Sequence, residues 1–422
     1  MRLSVATNFK KDFIPAIAKY NTVKEIYGKV SGDFIGGGRS SYMFSHVGKR
    51  NVNEHVREAH AHGIRFNYLL NASCLGNTEF TKKGQKQIEK LLNWLSKIKV
   101  DEVTVATPFL LALIKRRYPR FAVRISVFAH VDSVPKAKKW EDAGADSVVL
   151  DSMLVNRDFD MLENIRKSVK IDLQLLANNH CHPFCHLSGY HMNMLAHSSQ
   201  SSHASKGFVV DYCFLNCSGE KLKDPVNFVR AEWIRPEDIH LYESMGYDHF
   251  KLVERGMPTA LLEKRVKAYT QERYDGNLLD LVQPYDYPDM EKSRYEIILD
   301  VLHKARYLAR PGLIRMRYLF KLKCLIQKRG MLFGEGDGHV KKAFLDNNML
   351  DGFLETVSSK NCRSRDCDEC LYCHQVAAKA FRVAPEYKDE CLSLYQEISD
   401  AMLNGDMWKK SGKDRREVES VK

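Results

Sequence analysis

Short apolar segments recur eight times in the first 258 residues, and most are followed by a stretch with helical spacing. The segments are Leu3–Ala6, Glu25–Lys29, Arg65–Leu70, Glu102–Ala106, Ala122–Phe128, Ser147–Leu150, Ile171–Leu176 and Phe250–Glu254. Most are rich in Val, Ile or Leu, the composition of strands covered on both faces. Between them, Asn53–His62 runs up to Gly63, and Lys83–Lys97 sets Ile88, Leu91, Leu92 and Leu95 on one face. Pro135–Ala143 stops at Gly144, and Phe159–Val169 turns Leu162 and Ile165 inward. Pro236–Met245 opens with Pro, Glu and Asp in its first turn and stops at Gly246, which marks both ends of a helix. This alternation predicts an α/β chain folded as a (β/α)8 barrel of the TIM type, with an open doubly wound sheet as the alternative. No Gly-x-Gly-x-x-Gly follows the first strand, so nothing supports a dinucleotide site.

Chemistry in such a barrel sits in the loops after the strands. Asn8, Ser31, Asn71, Cys74, Thr107, His130, Asp151, Asn178 and Arg255 would ring that mouth. The connection after the seventh strand, residues 178–235, is far longer than usual, and long connections are usually functional. It begins Asn-Asn-His-Cys-His-Pro-Phe-Cys-His and later reads Tyr-Cys-Phe-Leu-Asn-Cys. Two Cys-x3-Cys pairs, Cys181/Cys185 and Cys213/Cys217, thus stand towards the two ends of what reads as one long polar loop. Four thiolates close a zinc or an iron–sulfur site; buried free thiols are the plainer reading. Cys74 is either a fifth thiol at the same mouth or a packing residue. Of the surrounding histidines, His180, His182, His186, His191 and His197, any could ligate metal, donate to sulfur or move protons. His182 and Arg235 are the catalytic candidates. Gly36-Gly37-Gly38-Arg39 reads equally as an anion-binding turn and as a plain turn. There is no Gly-x-Ser-x-Gly and no His-Glu-x-x-His, and Glu237 and Asp238 are explained by the helix they open.

After the closing helix Thr259–Tyr269 the pattern changes. Residues 1–275 are expected to form the barrel, and 276–422 a helical extension. A linker is expected within Gln271–Arg294, which holds Pro284 and Pro288, followed by a basic helical stretch, Tyr295–Gly330, and a turn at Gly334–Gly338. Then comes a compact knot, Cys362-x4-Cys367-x2-Cys370-x2-Cys373. Its first three spacings are similar to a plant-type ferredoxin run, so it suits a second [4Fe–4S] cluster or a structural zinc ion. Helices are expected from about Val376 and over Glu390–Leu403. The charged tail Lys409–Arg416 is expected to fray.

Eleven cysteines without an export signal imply a reducing compartment, hence the cytoplasm. No run of 18 apolar residues is present to span a membrane. The net charge of +12 allows a nucleic-acid partner, but the charge is spread and no aromatic–basic signature accompanies it. The extension suits a homo- or hetero-dimer interface, an electron relay or a lid.

The strand leading to Asn178-Asn179-His180-Cys181, then His182-Pro183-Phe184-Cys185, Tyr212-Cys213, Cys217 and Trp233-Ile234-Arg235-Pro236-Glu237-Asp238, resembles the peptidase U32 family over about Met1 to Asp280. The family carries a protease name. The resemblance also implies a [4Fe–4S] cluster held by Cys181, Cys185, Cys213 and Cys217. It implies oxygen-independent hydroxylation of an RNA base or an aromatic ring, with prephenate as oxygen donor. The cysteine spacing differs from that of the RNA-modifying members and the C-terminal knot is additional, so an aromatic small molecule or a peptide is an equal substrate class. A peptidase, or an accessory subunit with a structural cluster, is the alternative.

Overall fold

The computed structural model describes residues 1–43, 46–205, 207–254, 256–282, 314–330 and 342–408. Arg255, the prolines of the expected linker, the first part of the Tyr295–Gly330 stretch, the Gly334–Gly338 turn and the Lys409–Arg416 tail lie outside them.

Eight parallel strands close into a barrel in sequence order, with β8 returning to β1. They are β1 (Arg2–Ala6), β2 (Val23–Gly28), β3 (Arg65–Leu70), β4 (Glu102–Val105), β5 (Ala122–Ile125), β6 (Ser147–Val149), β7 (Asp172–Leu176) and β8 (His249–Leu252). The helices between them are α1 (Phe13–Ala18), α2 (Lys49–Ala61), α3 (Lys82–Lys97), α4 (Pro108–Arg117), α5 (Val134–Asp142) and α6 (Phe159–Ser168). Sequence cues place their ends. The Thr81 and Thr107 hydroxyls accept the Gly84 and Leu110 amides at the starts of α3 and α4, and the Asp158 carboxylate accepts the Met161 amide at the start of α6.

Residues 178–235, expected as a polar loop, are largely helical: α7 (Ser188–His197), α8 (Tyr212–Lys223) and α9 (Val226–Arg230); α10 (Ile239–Glu243) lies within the expected helix Pro236–Met245. Asp211 starts α8 by accepting the Phe214 amide at 2.9 Å, and His191 pairs with the same carboxylate at 2.9 Å. After β8, α11 (Thr259–Thr270) closes the ring.

The extension contains α12 (Met316–Gly330), α13 (Phe353–Ser358), α14 (Tyr372–Ala380), α15 (Pro385–Leu403) and an antiparallel pair, β9 (Ala343–Leu345) and β10 (Phe381–Val383), which periodicity did not announce. It packs on the β7–β8 insertion. Helix α15 lies along α8, where a Cβ on Gly219 would stand 3.7 Å from Tyr395 Cβ. Phe381 stacks on Phe228 at 4.6 Å between ring centroids. Barrel, insertion and extension share one continuous apolar core.

The barrel lumen differs from the expected apolar strands. Alternate residues point to opposite faces of a strand. One set, including Leu3, Val5, Ile26, Phe66, Val103, Val123, Val148, Leu175 and Phe250, joins that continuous core. The alternate set is mostly polar and fully buried: Ser4, Glu25, Asn67, Glu102, Thr104, Arg124, Ser147, Gln174 and His249. Only Ala6, Tyr27 and Leu69 form a small separate apolar cluster. Arg124 fastens this layer. Its guanidinium donates to Glu25 at 2.6 and 3.1 Å, to Glu102 at 3.0 Å, to Ser147 at 2.9 Å and to Gln174 at 3.3 Å. Ser4 donates to Glu25 at 2.7 Å and meets His249 at 2.9 Å, and His249 in turn pairs with Asp172 at 2.7 Å.

Two carboxylates on one guanidinium divide the charge. Burial alone would raise the Glu25 pKa, yet Arg124 and His249 overcome it and hold the group at about 2. Burial, with Glu25 adding to it against Arg124, pushes Glu102 up to about 8. Glu25 is therefore ionised at neutral pH and Glu102 carries a proton. Glu25→Gln is expected to cost about 3–5 kcal/mol in urea unfolding, because Arg124 loses its counter-charge. Glu102→Gln is expected to cost at most about 1 kcal/mol, since the carboxyl is already neutral. Glu102 binds its proton more tightly folded than unfolded, so its contribution falls as pH rises through 8. That decline should flatten in Glu102→Gln, which a pH series of the same melts would read.

Candidate metal centre at the barrel mouth

The four expected ligands come from two elements. Cys181 and Cys185 lie on the turn that leaves β7. Asn178 fixes its start by accepting the Val253 amide at 2.6 Å and donating to the Val253 and Leu281 carbonyls, both at 3.1 Å. Asn179 donates to Ser152 at 2.7 Å, and the Phe184 amide donates to the Met153 carbonyl at 3.1 Å. Cys213 and Cys217 sit four residues apart on α8, on one face.

All four are free thiols, and each lies in the electrostatic field of others. Burial pushes Cys213 up to about 12, with Asp211, Cys217 and Cys185 adding to it. Burial also raises Cys217, to about 11, where Lys221 opposes it and Cys181, Asp211 and Cys185 add to it. Cys181 is exposed by surface area, but the atoms crowded round its sulfur raise its pKa by desolvation, and Lys221 and Arg39 pull against that. Four thiols that disfavour one another's charge, with two cations beside them, suit a centre that exchanges their protons for metal charge. Among the described residues, no group of three or more His, Cys, Asp or Glu side chains is set to hold a single metal ion.

Both cations are positioned. Lys221, one turn beyond Cys217, is buried and donates to the His180 carbonyl beside the His180 ring. Arg39 donates to Glu254 at 3.0 Å. Glu254 has a φ of +100°, a costly backbone for a residue with a Cβ and a mark of functional sites. The glycine run carries Arg39 there. The Gly36 amide donates to Asp33 at 2.7 Å and the Gly37 amide to Ser199 at 2.6 Å, so both amides are engaged within the protein. A Cβ on Gly37 would stand 2.9 Å from Asn71 Oδ1, which explains the need for glycine. The run therefore serves as a tight turn.

A proton-handling pair stands at the same end of the barrel. His130, after β5, bonds through Nδ1 to Asp151, after β6, at 2.7 Å. Asp151 is fully buried and also accepts the Met153 amide at 3.0 Å. An ionised carboxylate only accepts, so Nδ1 carries the proton and Nε2 is the basic nitrogen. The sequence placed both residues on the mouth but did not pair them.

The two catalytic candidates lie elsewhere in the arrangement. His182 donates from Nε2 to the Cys217 carbonyl at 3.2 Å and ties the two thiol-bearing elements together. Burial and then Lys221 lower its pKa to about 4, so the ring is neutral at physiological pH. Arg235 is buried, with a forked pair of bonds to Asp238 at 2.8 Å each and further bonds to the Asn347 carbonyl at 2.9 Å and Asp351 at 3.1 Å. It anchors the extension to the barrel. Cys74 is half-buried, and its sulfur accepts the Gly76 amide at 3.3 Å. His186 is exposed, and His197 stacks on His203 at 4.6 Å. Lys221 and Glu254 carried no sequence signal.

In the extension, Cys362, Cys367, Cys370 and Cys373 line one recess with Arg230, Lys360 and Arg365. The knot docks on the barrel through Arg363, which pairs with Asp158 at 2.5 Å and donates to the Leu154 carbonyl at 3.0 Å. No helix among the described residues is long and apolar enough to cross a membrane.

The chain is similar to an uncharacterized protease, MJ1657, of Methanocaldococcus jannaschii, with 28% identity over 351 residues, 83% of this chain and 87% of the relative. Among solved structures it matches the U32 peptidase Mk0906 at a TM-score of 0.44 and 21% identity, over 60% of this chain and 91% of the other. It also matches a thiamine phosphate pyrophosphorylase from Pyrococcus furiosus at 0.32 and 12%, over 64% and 94%. At these scores the structural likenesses add no functional argument. The profile of peptidase family U32 matches residues 38–272, more than half of the sequence, and the chain belongs to that family.

Proposed function

We propose that Cys181, Cys185, Cys213 and Cys217 hold a [4Fe–4S] cluster at the barrel mouth, and that the protein is a U32-type enzyme acting on an organic substrate beside it. The reaction we favour is oxygen-independent hydroxylation, or a related redox modification, of an RNA base, an aromatic small molecule or a peptide, with prephenate as oxygen donor. The observation that carries this reading is the convergence of four free thiols from two elements on one mouth, with Lys221 and Arg39 against them.

When bound, such a cluster would supply one-electron chemistry at the barrel mouth. The side chains do the remaining work. Lys221 and Arg39 offset the negative charge that four thiolates bring to a partly buried place. His130, oriented by Asp151, can take a proton at Nε2 and return it. His182 keeps the turn of Cys181 and Cys185 against the helix of Cys213 and Cys217.

The relative's protease name supports a second reading, peptide hydrolysis with His130 as base. The two readings part on metal content. Protein purified without oxygen should lose about four irons and as many sulfides per chain when the four loop cysteines become serine. Zinc in place of iron there, or peptide cleavage by iron-free protein, would move the assignment to hydrolysis.

A second measurement addresses the dyad. Nucleosides and small aromatic metabolites from cells with and without the gene are compared by mass spectrometry for a gain of one oxygen. His130→Asn is expected to cut that product by about 10²–10⁴-fold with iron content unchanged. Undiminished product would remove His130 from the reaction.

A further inference from the structure

We infer that the recess formed by Cys362, Cys367, Cys370 and Cys373 is a second iron–sulfur site, of the four-iron class, and not a zinc knot. This goes beyond the reading of the barrel mouth and stands whether or not that reading holds. The knot lies outside the residues that match the family profile.

Two observations favour a cluster over a single ion. The first is the path of the chain. Cys367 and Cys370 span a single helical turn, Leu371 breaks it with a φ of +54°, and Cys373 follows in the first turn of α14. Three thiols at successive intervals of three residues reach separate corners of a cluster readily. Cys367-x2-Cys370-x2-Cys373 is also the C-x2-C-x2-C spacing of bacterial four-iron ferredoxins.

The second is the supply of donors. Arg230 lines the recess, and Arg157 lies in the electrostatic field of Cys362 and Cys373. The Nε atoms of Arg157 and Arg230 are buried and have no hydrogen-bond partner. Both guanidiniums are otherwise held: Arg157 donates to the Val229, Arg230 and Ala231 carbonyls, and Arg230 meets His374 at 3.3 Å. Buried donors are almost always matched, so two orphans beside four thiols call for further acceptors. The bridging sulfides of a cluster are such acceptors, whereas four thiolates on zinc provide only themselves.

The test is elemental analysis of the full chain purified without oxygen, beside Cys367→Ser/Cys370→Ser, the single variant Cys362→Ser in an exposed segment, and Cys213→Ser/Cys217→Ser. The expected result is no zinc in the unaltered protein and a loss of about four irons with matching sulfide in the knot variants. Zinc that stays with the chain in Cys213→Ser/Cys217→Ser overturns the inference, and that measurement does not need the knot variants to fold. Unchanged iron in well-folded knot variants overturns it as well. Iron that stays undiminished in Cys213→Ser/Cys217→Ser would instead sink the reading of the barrel mouth, leaving the knot variants to decide this one.

Discussion

Arg124 is the residue on which the barrel closes. From β5 it reaches side chains on β2, β4, β6 and β7, and through Ser4 and His249 the same network takes in β1 and β8. Arg65 brings in β3 by approaching Glu102 at 3.5 Å. An apolar lumen of similar volume could have been as stable, because desolvating buried charges offsets much of their attraction. A polar lumen differs in what it forbids. A slip of one residue in any strand would turn a polar side chain into the apolar layer under the helices and leave its partners bare. The ion network thus ties each strand to one register, and the register decides which residues arrive at the mouth.

The mouth inherits this order. Several strand ends each deliver one kind of group: a thiol-bearing turn after β7, an imidazole after β5, its buried carboxylate after β6, and a strained acidic residue after β8 whose guanidinium partner, Arg39, follows β2. Cys181, Cys213 and Cys217 are hard to ionise where they stand, first because they are buried and then because other thiols lie near, while Lys221 pulls against this at Cys181 and Cys217.

Much of the fold could be read from residue pattern, because strand and helix leave periods of two and 3.6 in the apolar residues. Ile88, Leu91, Leu92 and Leu95 all lie on the buried face of α3. The lumen was written in the sequence too, at alternate positions such as Ser4, Glu25, Glu102 and Arg124, but the apolar neighbours on the other face masked it. The insertion was harder. Its helices carry Cys, His, Ser and Asn, which are indifferent helix formers, and the one firm cue, Asp211 as a start signal, lay among other polar residues. The part Arg235 plays was out of reach: its partners Asn347 and Asp351 are more than a hundred residues away, and no local pattern reports them. The pairing of His130 with Asp151 was hidden for a similar reason, since strand ends adjacent in space are separated in the chain by a whole helix.

The packing of α8 against α15 sets an order of assembly. Synthesis proceeds from the N-terminus, and a barrel that closes at β8 has all its strands once residue 252 has emerged. The helix that presents Cys213 and Cys217 has emerged by then as well, but one side of it lacks its cover. Tyr395 comes against Gly219, and Lys388 reaches the Lys223 carbonyl at 3.3 Å, only when almost the whole chain has been made. The second pair of thiols consequently reaches its final setting last. During that interval the barrel has all its strands while the helix that carries these two thiols is still open on one side.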